Sequence, residues 1–303
     1  MLSSIREAIQ KCNIKDGMTI SFHHHLRDGD YIINMVMKEI AELGIKDITI
    51  VPSSLQKIHE PLIEHIKNGV VTGIRTSGMR GSLAKEISCN NILKKPVIFQ
   101  THGGRARSIE LGEIKIDVAF IGASSCDKMG NMSGRSGKSA FGSMGYAMSD
   151  VRYADKVVAI TDNLVEYPLI NQSIDQTFVD YVVVVDEIGD VNKIATGATR
   201  VTQSPKELLM AEYAAKVIKD SGYMKEGFSF QAGSGGASLA VIKFLKEYMK
   251  EKGIKGGAIS GGITSAVVEM LEEGYFEALL DAQTFDSRAA DSFNRNKNHI
   301  EMS

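Results

Sequence analysis

From its start to about residue 200, the chain alternates short apolar runs with amphipathic stretches. This alternation restricts the fold strongly, because each strand of a parallel sheet needs a helical crossover before the next strand. Residues 30–43 place Ile33, Val36, Met37 and Ile40 on one side, which predicts a helix between the first two strands. The predicted strands are residues 18–22, 47–51, 70–75, 97–101, 118–121, 157–160 and 181–185.

A second series of the same kind begins after a change of pattern near residue 200. Residues 204–220 are predicted to form a helix with Ser204 as N-cap and Pro205 in its first turn. Its inward side would carry Leu208, Ala211, Ala215 and Ile218. The predicted elements that follow are a strand at 226–231, a helix at 237–250, a strand at 257–260, a helix at 264–273 and a strand at 276–280. The sequence therefore predicts an α/β protein with an open, mostly parallel sheet domain at residues 1–203, followed by the first, incomplete part of a similar domain at 204–303.

The composition bounds the function. The chain has 303 residues, a formal net charge of −2 and 43% hydrophobic residues. No dense cluster of Lys and Arg with interleaved aromatic residues occurs, so nucleic acid is not a predicted partner. The start, MLSSIREAIQKC, is charged, and no run approaches ~18 consecutive apolar residues. Cys12, Cys89 and Cys126 are odd in number and lack metal-binding spacing. We expect a cytoplasmic protein with no membrane segment.

Ligands of open parallel sheets bind beyond the carboxyl ends of the strands, so the segments that follow the predicted strands are candidates for a binding site. They hold much of the histidine, serine and arginine of this half of the chain. We predict that five of them cluster: residues 23–27, 52–55, 76–81, 102–107 and 122–127.

His23, His24 and His25 are consecutive, so they point to alternate sides of extended backbone and one or two can face the site. No metal is predicted, because three adjacent histidines cannot easily bind one ion and no further ligand stands at a suitable spacing. We interpret them as hydrogen-bond donors or cations for an acidic ligand. The alternative is a solvated loop. Arg27 follows and has the geometry for a bidentate pair with a carboxylate.

A second cluster, His102, Gly103, Gly104 and Arg105, repeats an imidazole, room for close approach and a guanidinium after another strand. Two such loops favour a polycarboxylate ligand. Hydroxyls and amides come from Ser53, Ser54, Ser77 and Gly78, which are equally compatible with helix caps.

Residues 122–145 contain six glycines and little periodicity, which predicts a functional loop or flap. Within it, GRSGKS at 134–139 is not a P-loop, because Met132 stands where that motif requires glycine. Cys126 lies in this segment. It is a candidate nucleophile, although a structural thiol is the stronger interpretation.

The glycine-rich loop of the second series follows a predicted strand and precedes a helix. Backbone N–H groups around Gly233, Ser234, Gly235 and Gly236 favour a phosphate, a carboxylate or the oxyanion of a thioester under attack. The alternative is a tight turn that needs glycine only for backbone freedom. Near the end of the chain, Asp286 and Asp291 are candidate substrate contacts, with solvated carboxylates as the default.

These residues lie in blocks that resemble the citrate lyase alpha chain family of the CoA-transferase superfamily, from about residue 5 to the last residue. The blocks are SFHHHLRDGDYIINMVMKEIAELGIKDITIVPSSL, TSGMRGSLAKEIS, THGGRARSIELGEIKIDVAFIGASSCD, GATRVT and YMKEGFSFQAGSGGASLAV. The resemblance implies a CoA-transferase-like fold.

The resemblance also implies the transfer of an acyl-carrier-protein thioester from acetate to citrate, which gives citryl carrier protein and free acetate. The implied partners are a beta chain, which cleaves the citryl thioester, and a gamma chain, which is the acyl carrier protein. Together they would form an oligomeric complex. No tightly bound cofactor is implied. The thioester is carried on the CoA-like prosthetic group of the carrier protein, with acetyl-CoA as a possible substitute.

In this superfamily a glutamate carboxylate attacks the acyl thioester, and the resemblance places that residue beyond Ser303. No catalytic residue is therefore assigned within the chain, and nothing around Glu301 supports it as the nucleophile. We expect a truncated or split alpha chain that binds its ligands without turnover. Its half-built second sheet would leave an open edge, which predicts poor stability, aggregation or pairing with a partner. The alternatives are a non-catalytic binding or assembly module and a CoA-transferase for another small carboxylic acid.

Overall fold

The computed structural model describes residues 1–194, 201–233 and 235–303. The chain forms two compact units. Unit 1 comprises Met1–Ala140, Tyr146–Ile194 and Ser303, and unit 2 comprises Phe141–Gly145 and Ala195–Met302. The boundary after residue 203 that the sequence suggests stays a prediction. The candidate Ser234 lies outside the described residues.

Unit 1 is built on a seven-stranded sheet in which every neighbouring pair is parallel. Its strands are β1 (Thr19–Phe22), β2 (Ile48–Pro52), β3 (Val71–Thr76), β4 (Ile98–Phe99), β5 (Ile116–Ala123), β8 (Ala154–Thr161) and β10 (Tyr181–Val184). The order across the sheet is β10-β8-β5-β1-β2-β3-β4. Each of the seven predicted strands is confirmed, and so is the mostly parallel α/β class.

Helices and a small three-stranded sheet complete unit 1. The helices are α1 (Ile5–Lys11), α2 (Ile32–Glu42), α3 (Leu62–Lys67), α4 (Gly81–Asn90), α5 (His102–Glu110) and α6 (Ala147–Tyr153), and the small sheet joins β6 (Ser125–Asp127), β7 (Met132–Ser133) and β9 (Leu164–Val165). On α2, the predicted inward residues Ile33, Val36, Met37 and Ile40 are all fully buried. β5 is buried almost along its whole length, as expected of a central parallel strand covered on both faces.

Unit 2 has a parallel sheet in the order β11-β12-β13. Its elements are α7 (Pro205–Asp220), α8 (Gly236–Lys252), β11 (Gly256–Ile263), α9 (Ser265–Glu272), β12 (Phe276–Thr284), α10 (Ser287–Arg295) and β13 (His299–Glu301). The predicted helices at 204–220, 237–250 and 264–273 are confirmed, as are the strands at 257–260 and 276–280. Ala211 and Ala215 are buried, while Leu208 and Ile218 pack against the same core.

One prediction for unit 2 is wrong, and two further elements were missed. The strand predicted at 226–231 is reduced to one parallel bridge between Phe230 and Ile259. A left-handed Gly227, with φ of 77°, turns the chain just before it. After β12 the structure adds α10 and β13, two elements that the sequence analysis did not predict. α10 is mostly polar, with Ala289 and Phe293 as its buried apolar residues, and β13 has only three residues.

Residues 122–145 do not form an exposed flap, while the alternative of a functional loop stays a prediction. Much of the segment is buried, and its first part continues β5 into β6. The carboxylate of Asp127 orders it, because its Oδ1 accepts hydrogen bonds from the amides of Met129, Gly130 and Asn131 at 2.9, 3.0 and 3.2 Å. The last residues, Phe141–Gly145, belong to unit 2, where the Ser143 hydroxyl donates to the Asp281 carbonyl at 2.7 Å. Glycine here serves tight turns in a packed segment.

In the described parts of the chain, no helix is long and apolar enough to cross a membrane.

Stability of unit 1 should depend on the centre of its sheet. Phe120 on β5 is fully buried and stacks on Phe22 of β1, with ring centroids 6.0 Å apart. We predict that Phe120→Ala lowers the free energy of unfolding by about 3–5 kcal/mol in a urea titration, because it removes apolar burial and leaves a cavity. Phe178→Ala is the matched control, since Phe178 is exposed. Equal effects of the two substitutions would contradict this account of the core.

Candidate functional site

The carboxyl ends of β1, β2 and β3 bring three predicted segments together. These strands are neighbours in the sheet, so the residues that follow them meet at one edge. The backbone amide of His24 donates to Ser53 Oγ at 3.0 Å, and the amide of Ser77 donates to the Ser53 carbonyl at 3.3 Å. Ser54 Oγ donates to the Gly78 carbonyl at 3.3 Å. The segments thus form one mostly buried polar cluster, which we name the histidine–serine edge (His23, His24, His25, Ser53, Ser54, Ser77 and Gly78).

His23 and His25 form a buried pair whose protons can be assigned. His23 Nε2 lies 2.9 Å from the carbonyl oxygen of Gly122, and a carbonyl only accepts, so Nε2 carries the proton. Burial is the main cause that lowers the pKa of His23, so the ring is neutral and its Nδ1 can accept a hydrogen bond. His25 Nδ1 therefore donates to His23 Nδ1 across 2.8 Å. The pair fixes the orientation of the segment after β1.

His24 does not join the His23–His25 pair and contacts Ser53. Its Nδ1 lies 2.5 Å from Ser53 Oγ, and its ring is buried. Burial lowers the pKa of His24 well below its ordinary value, and the charges of His25, His102 and Arg27 lower it further. At neutral pH His24 is therefore an uncharged hydrogen-bonding group. The prediction of a histidine cation does not hold for this ring, and the nearby positive charge is that of Arg27.

An aromatic stack adds two residues to the edge. The ring of His24 stacks on His102 at 5.3 Å and on Tyr146 at 5.4 Å, and His102 stacks on Tyr146 at 4.8 Å between centroids. His102 is exposed, so the stack reaches from the buried histidine to solvent. The sequence analysis missed Tyr146, which directly follows the glycine-rich segment and immediately precedes α6.

The second predicted cluster is helical. The loop predicted at 102–107 is wrong, because α5 begins at His102, where the Thr101 side chain caps it by accepting from the Gly104 amide at 2.9 Å. Gly103 is exposed and Gly104 partly so. Residues 102–107 therefore form the first part of a helix and not the open cationic loop that the sequence suggested.

Arg105 is committed to the framework. Its guanidinium is buried and forms a bidentate pair with Asp150 of α6, with N–O distances of 2.9 and 2.5 Å. It also donates to the carbonyl of Val51 in β2 at 2.6 Å. This arrangement corrects the interpretation of Arg105 as an exposed partner for a ligand. Asp150 was not predicted, and an isolated acidic residue on a helix gives no sequence signal for such a pair.

Ser77 has an unusual hydroxyl. Among the described residues, its Oγ is buried and makes no hydrogen bond, although buried polar atoms rarely lack partners. It lies on the segment that hydrogen-bonds to Ser53, next to Gly78. A hydroxyl in this position can donate to a ligand at little cost, because no existing hydrogen bond has to break.

The glycine-rich loop lies in unit 2. Gly235 is the N-cap of the 17-residue helix α8, and no side chain caps that end. Gly236 is the first helical residue. A side chain at Gly233 would meet Ser238 Oγ at 3.1 Å, so this position is closely packed. The loop has the polarity of an anion cradle, and its role in thioester binding stays a prediction.

The remaining candidates have structural roles. Burial raises the pKa of the Cys126 thiol to about 12, which leaves it protonated and unreactive and agrees with the structural interpretation. Asp286 caps α10 by accepting from the Ala289 amide at 2.9 Å, and Asp291 pairs with Arg295 at 3.2 Å. Glu301 accepts from the Met144 amide at 2.6 Å.

No group of three or more His, Cys, Asp or Glu side chains is arranged to hold a metal ion in the described ranges. A cavity of about 320 Å³ lies at the amino ends of the strands, lined among others by Thr19, Thr49 and Arg75. The predicted candidates do not line it.

The model of the citrate lyase alpha subunit family matches residues 1–303 of the chain. The chain belongs to this family. It is 52% identical over 303 residues to the citrate lyase alpha chain of Haemophilus influenzae and 51% identical to that of Escherichia coli. It covers 100% of its own length in both alignments, but only 60% and 59% of those relatives. The chain thus spans about three fifths of the length of the curated relatives it matches.

Solved structures agree with this assignment. The alpha subunit of citrate lyase from Streptococcus mutans, solved in complex with citrate, is 59% identical with a TM-score of 0.96. It covers 100% of this chain, which covers 59% of it. A 4-hydroxybutyrate CoA-transferase from Porphyromonas gingivalis shares the fold at 18% identity and a TM-score of 0.61, covering 99% of this chain and 66% of that one. The predicted CoA-transferase-like fold is confirmed.

The Arg105–Asp150 pair yields a test of its framework role. We predict that Arg105→Met lowers the free energy of unfolding by about 3–5 kcal/mol, because it leaves the Asp150 carboxylate buried without a counter-charge. Arg107→Met is the control from the same helix, since Arg107 is exposed and its pair with Glu113 is solvated. Urea titrations of both variants measure the difference. Full stability of Arg105→Met would show that the pair is not needed for the fold.

Proposed function

We propose that this chain is the citrate-binding and thioester-binding part of a citrate lyase alpha chain. The reaction exchanges one thioester for another: acetyl carrier protein and citrate give citryl carrier protein and acetate. It belongs to the CoA-transferase class, and no net hydrolysis or redox change occurs. The observation that carries the proposal is the histidine–serine edge, found in a chain 59% identical to a protein solved with citrate.

The chemistry of the edge suits a polycarboxylate with a hydroxyl group. Ser53, Ser54 and Ser77 bring hydroxyls to one place, and the neutral His24 ring adds a group that can donate or accept. Arg27 adds positive charge near His24. Citrate has three carboxylates, so it needs several donors and at least one cation. We assign citrate contact to His24, Arg27, Ser53, Ser54, Ser77 and Gly78.

Other predicted residues are not assigned to direct citrate contact, and they lie either in the supporting framework or at the exposed end of the aromatic stack. His23 orients the segment through Gly122, and Arg105 ties α5 and α6 to β2. His102 lies at the exposed end of the aromatic stack, where it can meet an entering anion together with the amide of Gly103, while the Gly104 amide stays bonded to the Thr101 cap. We propose that these residues position the binding segments or meet the entering ligand, and that they do not take part in the reaction itself.

The thioester step needs two further parts. Backbone amides at Gly233, Ser234, Gly235 and Gly236 would stabilise the oxyanion that forms when the thioester carbonyl is attacked. The attacking carboxylate of this superfamily forms an anhydride and then a glutamyl thioester, which splits the exchange into two easier steps. We place that glutamate beyond Ser303, since Glu301 is hydrogen-bonded to the Met144 amide and has no context for attack.

The proposal names partners and a carrier. A gamma chain would present the acyl group on its CoA-like arm, acetyl-CoA would be a substitute donor, and a beta chain would cleave the citryl product. The proposal includes no tightly held cofactor. The site would lie in a cytoplasmic oligomeric complex.

Citrate binding can be tested separately from catalysis. We predict that citrate at about 100 times its Kd stabilises the chain by about 2.7 kcal/mol, whereas acetate and succinate at equal concentration stabilise it less. Ser77→Ala should weaken citrate binding by about 5- to 30-fold with no loss of stability in the free chain, because its hydroxyl has no other partner to lose.

Ser173→Ala is a close control, since Ser173 Oγ is likewise buried without a partner among the described residues but lies outside the edge. Calorimetric titration measures both variants. Unchanged citrate affinity in Ser77→Ala would remove Ser77 from the site. Stronger stabilisation by succinate than by citrate would favour a CoA-transferase for another small acid.

Catalysis requires a second experiment. We predict that the 303-residue chain releases no acetate from acetyl-CoA in the presence of citrate. Adding the C-terminal part of a longer relative should restore release, and hydroxylamine should then trap an acyl group on a glutamate of the added part. Release by the chain alone would place the nucleophile within these residues. No release and no trapping in the complemented mixture would favour a non-catalytic binding or assembly module.

A further inference from the structure

The helix α7 has an inverted distribution of side chains. Its inner face carries the small residues Ala211 and Ala215, both buried. Its outer face carries large apolar residues that are mostly exposed: Leu209 is 49%, Met210 56%, Tyr213 62% and Val217 69% exposed. Contiguous apolar surface of this kind on a folded protein marks an interaction site more often than chance.

The exposed residues form one stripe. Leu209, Tyr213 and Val217 follow each other at a spacing of four residues, which places them on one side of the helix, with Met210 beside them. The stripe is bounded by Lys206 at its N-terminal end and Asp220 at its C-terminal end, where the Asp220 carboxylate pairs with Lys216 of the same helix at 2.7 Å on the surface. Lys206 and Asp220 both lie about 10 Å along the helix axis from Tyr213, given a rise of ~1.5 Å per residue.

We propose that this α7 stripe (Lys206, Leu209, Met210, Tyr213, Val217 and Asp220) binds the same stripe of a second copy of this chain. In an antiparallel pair with its two-fold axis near Tyr213, Lys206 of each copy meets Asp220 of the other. Leu209 of each copy meets Val217 of the other, and the two Tyr213 rings meet at the centre. The surface is therefore self-complementary, as a two-fold interface requires.

Charge decides between orientations. A parallel pairing of the two helices would set Lys206 against Lys206, which is unfavourable, whereas the Asp220 end is already neutralised by Lys216 of the same helix. The antiparallel arrangement avoids this clash of like charges. Beside the stripe, α7 and α8 border a cavity of about 370 Å³ lined by Glu212, Tyr213, Lys216 and Tyr248. This hollow has room for side chains of the facing helix.

The expected association is weak. α7 has 16 residues, so the stripe is at most about 24 Å long, and one helix buries less than a standard interface of roughly 800 Å² per partner. We therefore expect a reversible, concentration-dependent dimer with a dissociation constant in the micromolar range.

Sedimentation velocity of the 303-residue chain over a range of concentrations tests the proposal. We expect a monomer–dimer equilibrium whose dissociation constant rises at least ~10-fold in Val217→Asp, because the new carboxylate would be buried against Leu209 of the other copy without a partner. Val191→Asp is the matched control, since Val191 is 45% exposed and lies in unit 1. Circular dichroism confirms that both variants remain folded.

A charge exchange tests the orientation. At low salt, Lys206→Asp and Asp220→Lys should each weaken the dimer several-fold, and the double variant should recover most of the affinity, because the opposite charges again face each other. A chain that stays monomeric at all concentrations overturns the proposal. So does a dimer that Val217→Asp leaves intact, which would place the interface elsewhere. Additive loss in the double variant overturns the antiparallel arrangement.

Discussion

The parallel pairing of β1 with β2, and of β2 with β3, is the constraint on which the candidate site depends. Parallel strands all end at one edge, so the short segments after them have little choice of direction. Hydrogen bonds then join these segments directly, as between the His24 amide and Ser53 Oγ and between the Ser77 amide and the Ser53 carbonyl. The histidine–serine edge is thus a continuation of the sheet, and its geometry is as rigid as the strand register below it.

The buried Arg105–Asp150 pair extends this rigidity to the helices. One guanidinium joins α5 to α6 through two hydrogen bonds and reaches β2 through the Val51 carbonyl. Burying two charges is costly, and a hydrophobic pair of similar volume often gives equal stability. An apolar pair, however, makes no directional hydrogen bonds and so does not fix the orientation of the two helices. The pair therefore acts mainly by fixing the angle between α5 and α6. It thereby holds His102, at the start of α5, and Tyr146, just before α6, beside the ring of His24.

Much of this architecture could be read from the sequence, because the features concerned are local and periodic. The seven strands of unit 1 and the inward face of α2 follow from apolar runs and helical spacing, and parallel topology then brings Ser53 and Ser77 together. What escaped prediction depends on partners distant in the chain. Arg105 looks like a surface cation until Asp150 is found beside it, and the segment around Asp127 looks like a flap until its carboxylate is seen holding three amides.

The protonation of the histidines links the site to the fold. The folded-state pKa of His24 lies well below its ordinary value, first because of burial and then because His25, His102 and Arg27 oppose a further positive charge. The unfolded chain therefore binds more protons than the folded one as the pH falls below the ordinary histidine pKa, and stability falls with it. Above that pH the contribution is fully present. A ligand with several carboxylates bound at this edge, as proposed, would act in the opposite sense, because its negative charge beside the His24 ring would favour the protonated form. Burial and the proposed ligand thus shift the pKa of His24 in opposite directions.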